Sequence, residues 1–263
     1  MLKNFFTKRY IVKGKNNKIT GTKNCKAKNI IFGPKMSCLL VDGNNNEIIF
    51  NYDKLKSPQY CLPAGLNIKI LGNNNKIVID FSIKFSKTRI YMGGDNNYFH
   101  IKSQKIPVRR AKFVLSDGLG NIQIGQNCQL KGKNLTIIAS NNYLTPTKII
   151  IGDECYIAQD VLIRNSHGHT LIDSESNKPI DNQEPLDLII ENNVWIGSRC
   201  TILRGTYIAK GSIIGACSMV NKRFEKENTV LAGIPAKVIK ENITWDRRHY
   251  GAFMEDYKAQ VPY

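Results

Sequence analysis

An aliphatic residue falls on every sixth position from Ile190 to Val220: Ile190, Ile196, Ile202, Ile208, Ile214 and Val220. An α-helix repeats about every 3.6 residues and a strand about every two, so neither gives this period. Six residues make one flat side and one corner of a triangular coil, and the repeat predicts a parallel β-helix of hexapeptides. The residue after the aliphatic is often compact, as in Gly197, Ala209 and Gly215, which suits a tight corner. The residue four places on is small or β-branched: Val194, Cys200, Thr206, Ser212, Ser218. Side chains alternate across a strand, so the aliphatic and small residues are expected inside, and Trp195, between Val194 and Ile196, outside. An outward tryptophan needs a partner, either a neighbouring subunit or a ligand.

The same frame runs through Ile151, Ile157 and Ile163, with Cys155 and Val161 in the small slots, and recurs at Ile124 and Leu130 with Cys128. The runs ending at Ile163 and starting at Ile190 are out of phase, which implies an insertion at roughly 165–189. Upstream, Gly14-Lys15-Asn16-Asn17-Lys18-Ile19 recurs from Gly43, Gly72 and Gly94, at intervals of 29, 29 and 22 residues. Gly and Asn tolerate left-handed backbone, so each copy is a tight turn between strands. At near-constant spacing the copies read as corners of longer coils, with a separate small β domain over 1–110 as the other reading. The expected organisation is Asn-rich β repeats over 1–120, a hexapeptide β-helix over 121–238 and a helical tail over 239–263. The tail, with Trp245, Phe253, Met254 and Tyr257, is expected to cap the open end or pack on a neighbour.

Composition narrows the function classes. Lys and Arg number 38 against 21 Asp and Glu, a formal net charge of +17. The excess is scattered lysine rather than basic runs interleaved with aromatics, so a nucleic-acid partner is not expected. The balance favours acidic ligands or an anionic surface. No stretch is long and apolar enough to span a membrane, and the N-terminus has no signal-peptide core. The seven cysteines are odd in number and scattered, and Cys128, Cys155 and Cys200 fall in inward slots. That pattern fits a reducing cytosol, and no CxxC pair suggests structural zinc.

Of four histidines, two lie in Asn165-Ser166-His167-Gly168-His169, where the chain leaves a regular coil. Histidine is the side chain best suited to move a proton near neutral pH, and a loop on a rigid scaffold is a sensible place for it. His-x-His can also hold a metal, but no further ligand stands at suitable spacing, so none is expected.

Several motifs in order carry a resemblance: Ile151-Gly152-Asp153-Glu154, Ser166-His167-Gly168-His169, Val194-Trp195-Ile196-Gly197-Ser198, Ile214-Gly215-Ala216-Cys217-Ser218-Met219-Val220-Asn221-Lys222 and Ala232-Gly233-Ile234-Pro235-Ala236-Lys237-Val238-Ile239. The run from Ile149 to Trp245 resembles the hexapeptide-repeat acyltransferases, nearest to the galactoside, maltose and capsular-polysaccharide O-acetyltransferases. The resemblance implies an all-β fold, a left-handed parallel β-helix. Here it would carry an N-terminal β-repeat extension and a short C-terminal helix. It implies direct acetyl transfer from acetyl-CoA to a sugar hydroxyl in a cleft between subunits of a homotrimer. His169 would be the general base, and Trp195 would line the cleft. Ser198, Ala216, Asn221 and Lys222 would follow the pantetheine arm, with Asn221 replacing the threonine usual in relatives. Lys237 and Lys240 would approach the CoA phosphates, and no role transfers to His167. The Asn-rich front replaces the helical or nucleotide-fold fronts of other members. The acceptor is therefore expected to be a cell-surface glycan or its precursor, with acidic sugars favoured by charge. Asp173, Glu175 and Asp181 of the insertion would border it. The expected location is the bacterial cytoplasm, including the periphery of the inner membrane. Alternatives are an N-acetyltransferase on an amino sugar, a non-catalytic glycan-binding β-helix, and a carbonic-anhydrase-like β-helix, whose zinc would need three histidines.

Overall fold

The computed structural model describes residues 10–20, 37–51, 63, 65–80, 83–130, 133–140, 146–166, 168–180 and 187–260. Its strands form the three sides of a prism. The first face has nine parallel strands, from Tyr10–Lys13 to Met219–Val220, and the second has nine, from Lys18–Thr20 to Arg223–Phe224. The third contains Gln129–Leu130, Tyr156–Ile157, Trp195–Ile196, Ile213–Ile214 and Val230–Gly233, and ends on Ala236–Lys240. In the hexad region Thr201 pairs in parallel with Met219, eighteen residues on, which is three hexads per coil.

The register explains the period. Ile163, Ile202 and Val220 stack inside the first face, Ile151, Ile190 and Ile208 inside the second, and Ile157, Ile196 and Ile214 inside the third. All are at most 1% exposed. Fully burying each such side chain contributes about 1.5–3 kcal/mol. Corners must be compact because successive coils meet there. A Cβ on Gly152 would lie 2.7 Å from the Asn192 backbone nitrogen.

The N-terminal repeats are coils of the same β-helix. Their glycines sit where the first face turns into the second, and Asn16, Asn45, Asn74 and Asn96 hold φ between 55° and 59°. The next asparagine points inward and forms a ladder. Asn46 Nδ2 donates to Asn17 Oδ1 at 3.0 Å, Asn75 Nδ2 to Asn46 Oδ1 at 3.0 Å, and Asn97 Nδ2 to Asn75 Oδ1 at 2.8 Å. Asn46, Asn75 and Asn97 are at most 2% exposed, which is tolerable because their amides are paired. Thr88–Gly93 pairs with Ala111–Ser116, which pairs with Leu135–Ser140, so the sheet runs on without a break. The described strands flanking the Asn-rich turns thus lie in the same two sheets as the later coils.

The insertion leaves Leu162–Arg164 on the first face and rejoins the second at Leu188–Ile190, so it occupies the 1–2 edge and ends just before residue 188. The short C-terminal helix is Tyr250–Gln260, and the described residues before it in the tail are not helical. Before it, residues 243–247 run down the 2–3 edge and bond the carbonyls of its left-handed corner residues. Ile243 N donates to Asn228 O at 2.8 Å, Thr244 Oγ1 to Gly211 O at 3.3 Å, and Trp245 Nε1 to Asn193 O at 2.7 Å. Arg247 reaches Glu154 O at 2.6 Å and Asn127 O at 2.8 Å. The segment is a strap along the side of the solenoid rather than a cap over its end. Those carbonyls project from the corners, and the strap satisfies them.

Candidate active site

The loop that carries the histidine is anchored by a buried amide. Asn165, 2% exposed, accepts from Ser140 N at 3.0 Å and donates to Thr147 Oγ1 at 2.6 Å, tying the exit from the first face to the preceding coil. Gly168 follows at φ 84°, and its amide donates to Ser166 Oγ at 3.0 Å. His169 is exposed beyond it. His167 lies outside the described residues. A Cβ on Gly168 would meet Arg164 Nη2 at 3.2 Å, and Arg164 Nε is buried without a hydrogen-bond partner. The loop continues as a small hairpin, with Asp173 N donating to Lys178 O at 2.8 Å and Ile180 N to Leu171 O at 2.9 Å.

Trp195 lies on the third face and points outward, as expected, but its partners belong to its own chain. Its ring centroid is 6.3 Å from Tyr156 and 5.9 Å from Trp245, and Trp245 is 6.1 Å from Tyr156. Trp195 nevertheless stays 39% exposed. The strap therefore sets one wall around this ring while leaving a face open.

The other expected residues lie at three places. Ser198 and the exposed Ala216 stack at the 3–1 edge, where Cys217 N donates to Ser198 O at 2.9 Å. Lys237 and Lys240 are exposed on the last, antiparallel strand of the third face, opposite Ala232 and Val230. Asn221 and Lys222 sit between Met219–Val220 and Arg223–Phe224, at the 1–2 edge that also carries His169. Lys222 Nζ lies 5.3 Å from the Phe224 ring centroid. In a three-sided prism the 1–2 edge is opposite the third face. One chain thus has His169, Asn221 and Lys222 on one side and Trp195, Lys237 and Lys240 on the other, and does not bring the two groups together.

Residues 187–222 match the family described as bacterial transferase hexapeptide (six repeats). The polysialic acid O-acetyltransferase of Neisseria meningitidis is 31% identical over 195 residues, covering 74% of this chain and 86% of that protein. This chain belongs to the hexapeptide-repeat acyltransferases. Galactoside O-acetyltransferase of Escherichia coli K12 is 36% identical over 140 residues, 53% of this acyltransferase and 62% of that protein. The crystal structure of the polySia-specific acetyltransferase NeuO superposes with a TM-score of 0.63 at 27% identity, covering 95% of this chain and 97% of that one. The acyltransferase is therefore a left-handed parallel β-helix, an exception to the right-handed rule for parallel crossovers.

Asp173 is committed to its own turn, accepting from Ser176 N and Ser176 Oγ at 2.7 Å each and from Glu175 N at 3.2 Å. Those donors hold its carboxyl below the usual range. Asp173 thus shapes the hairpin, and Asp181 lies outside the described residues. Sequence reasoning missed the Trp245 and Tyr156 contacts. The only available signal was that Trp195 and Trp245 are the two tryptophans of the acyltransferase. Among the described residues no group of three or more potential ligands could hold a metal ion.

Proposed function

We propose that this acyltransferase transfers acetyl from acetyl-CoA to a hydroxyl of a cell-surface glycan, in a site shared by two copies of a homotrimer. His169 of one copy is the base, and Trp195 of its neighbour lines the cleft. The acceptor oxygen attacks the thioester carbonyl while the imidazole takes the hydroxyl proton. The tetrahedral intermediate collapses to the acetyl ester, and the CoA thiolate leaves and recovers a proton from the imidazolium. A backbone N–H steadies the oxyanion. No covalent enzyme intermediate is required, and among the described residues no hydroxyl or thiol is hydrogen-bonded to a histidine that could activate it. Ser198, Ala216, Asn221 and Lys222 follow the pantetheine arm, and Lys237 and Lys240 meet the phosphates, where charge-assisted contacts are favourable.

The reading rests above all on one observation: an exposed histidine on an anchored loop lies across the prism from an exposed tryptophan, in a chain whose family performs acyl transfer. Relatives that act on polysialic acid and galactosides support a glycan acceptor, and the net charge favours an acidic one. The test is incubation with acetyl-CoA and a panel of acidic and neutral glycans, followed by mass spectrometry and thiol release. A mass gain of one acetyl group on an alkali-labile ester, lost in His169→Ala, is the expected result. Alkali-stable acetylation of amino sugars alone, or no release of CoA with any acceptor, would overturn it.

A further inference from the structure

Three rungs of the 3–1 edge carry cations that form no ion pair among the described residues. Lys87 and Arg89 lie on the first, Arg109, Arg110 and Lys112 on the second, and Lys133 on the third, all exposed. The register stacks them: Ser86 opposes Arg109, Arg89 opposes Lys112, and Arg110 N donates to Ser86 O at 2.8 Å. Rungs of a sheet rise about 4.8 Å, so like charges are held close enough to repel. Asp160, the acid at the next corner along this edge, accepts from Asn134 Nδ2 at 2.8 Å. The 2–3 edge differs in having paired charges, Asp153 with Lys102 at 3.8 Å and Glu154 with Arg247 at 3.0 Å.

A second observation is conformational. Corner residues of this solenoid take left-handed backbone, and two of the cations hold that position, Lys87 at φ 51° and Arg110 at φ 53°, where the 1–2 edge has Asn74 and Asn96 in the neighbouring coils. Long side chains are strained there more than Asn is, so Asn replaces either one without loss of backbone fit. Along the same edge lie Arg199, at φ 59°, and then Ala216 of the candidate donor groove.

We propose that this edge is a docking track for an acidic polysaccharide acceptor, binding the anionic groups of sugars several residues away from the one being acetylated. The proposal rests on the acetyl-transfer reading above for its acceptor. It adds a binding site outside the transfer cleft and makes affinity depend on polymer length. Cations on a regular rise suit a chain with one negative charge per residue. A neutral glycan would leave them unpaired.

The experiment measures binding without acetyl-CoA, so its outcome does not depend on catalysis. Sialic acid homopolymers of increasing length, the same polymers with carboxyls reduced, and single-stranded DNA of equal charge are titrated onto the protein. The expected result is binding of the acidic polymer that tightens with length, weakens with salt, and falls at least about tenfold on carboxyl reduction. Lys87→Asn combined with Arg110→Asn is expected to weaken polymer binding about tenfold while thermal stability is unchanged or higher. Arg89→Gln with Lys112→Gln, in ordinary strand backbone, should show the same loss. Equal affinity for the reduced polymer, undiminished binding by both variants, or preferential binding of DNA would each overturn the proposal. If the polymer binds this edge but no acetyl is transferred, the acetyl-transfer reading fails and the track stands.

Discussion

The 1–2 edge and the third face both project from the same coils, yet they are built in opposite ways. The edge is a break in the repeat. A buried Asn165 pins its start, a short hairpin follows, and His169 is left exposed without a hydrogen-bonded neighbour among the described residues. The third face is reinforced, with Trp195 wedged against Tyr156 and Trp245 by a strap that Arg247 ties to two lower corners. One side leaves an imidazole exposed. The other holds an aromatic ring against two more rings of the same chain. On the proposed reading these are two half-sites, and the contrast puts the rigidity in the half that would position rather than the half that would react.

The largest effect is expected at the reactive half. His169→Ala should lower kcat by about 10²–10⁴, the usual range for a lost general base, with acetyl-CoA affinity retained. His167→Ala should do much less; the opposite ranking in steady-state kinetics would reassign the base. The reinforced half predicts a smaller loss of a different kind. Trp245→Ala should lower kcat about tenfold by releasing the Trp195 ring, and Trp245→Phe should restore most of it. Because these are the only two tryptophans, the fluorescence of Trp195 in Trp245→Phe reports whether its environment is kept. Unchanged kcat in Trp245→Ala would break the contrast between the halves.

Lys237→Ala with Lys240→Ala should raise KM for acetyl-CoA about tenfold and leave KM for the acceptor alone, as loss of phosphate contacts requires. An unchanged KM for acetyl-CoA would remove both lysines from the donor site. The smallest effect is a footprint. Cys217 is exposed beside Ala216, whereas Cys155 is buried and its thiol is pushed well up by hydrogen bonding with Cys128 and by burial. Acetyl-CoA should slow alkylation of Cys217 several-fold, with the exposed Cys38 as the unprotected control and Cys155 unreactive throughout. Equal protection of Cys38 and Cys217 would count against a donor groove at this edge.

Much of the fold was legible because the hexad period leaves no other architecture, and because each small inward residue met the slot predicted for it. Val194 and Ile196 are fully buried and Trp195 is out. The Asn repeats were readable as corners, but the inward ladder from Asn17 to Asn97 was not, since turn chemistry and core chemistry use the same residue there. His169 was visible as a rare residue at a break in the period. Trp245 was not visible as a partner of Trp195, because fifty residues separate them and the strap recognises corner carbonyls, which leave no side-chain pattern. The turn that Asp173 organises was not legible either, since its donors are Ser176 and the Glu175 backbone, whose arrangement leaves no sequence pattern.

Mixing two inactive variants tests the central claim most directly. His169→Ala and Trp195→Ala are unfolded together, refolded at equal ratio and assayed for acetyl transfer. If His169 and Trp195 act from neighbouring copies, random assembly gives about a quarter of the sites both intact residues, so activity should recover to about a quarter of wild type. If the mixture stays as inactive as its two components while refolded wild type regains full activity, the site does not span two chains.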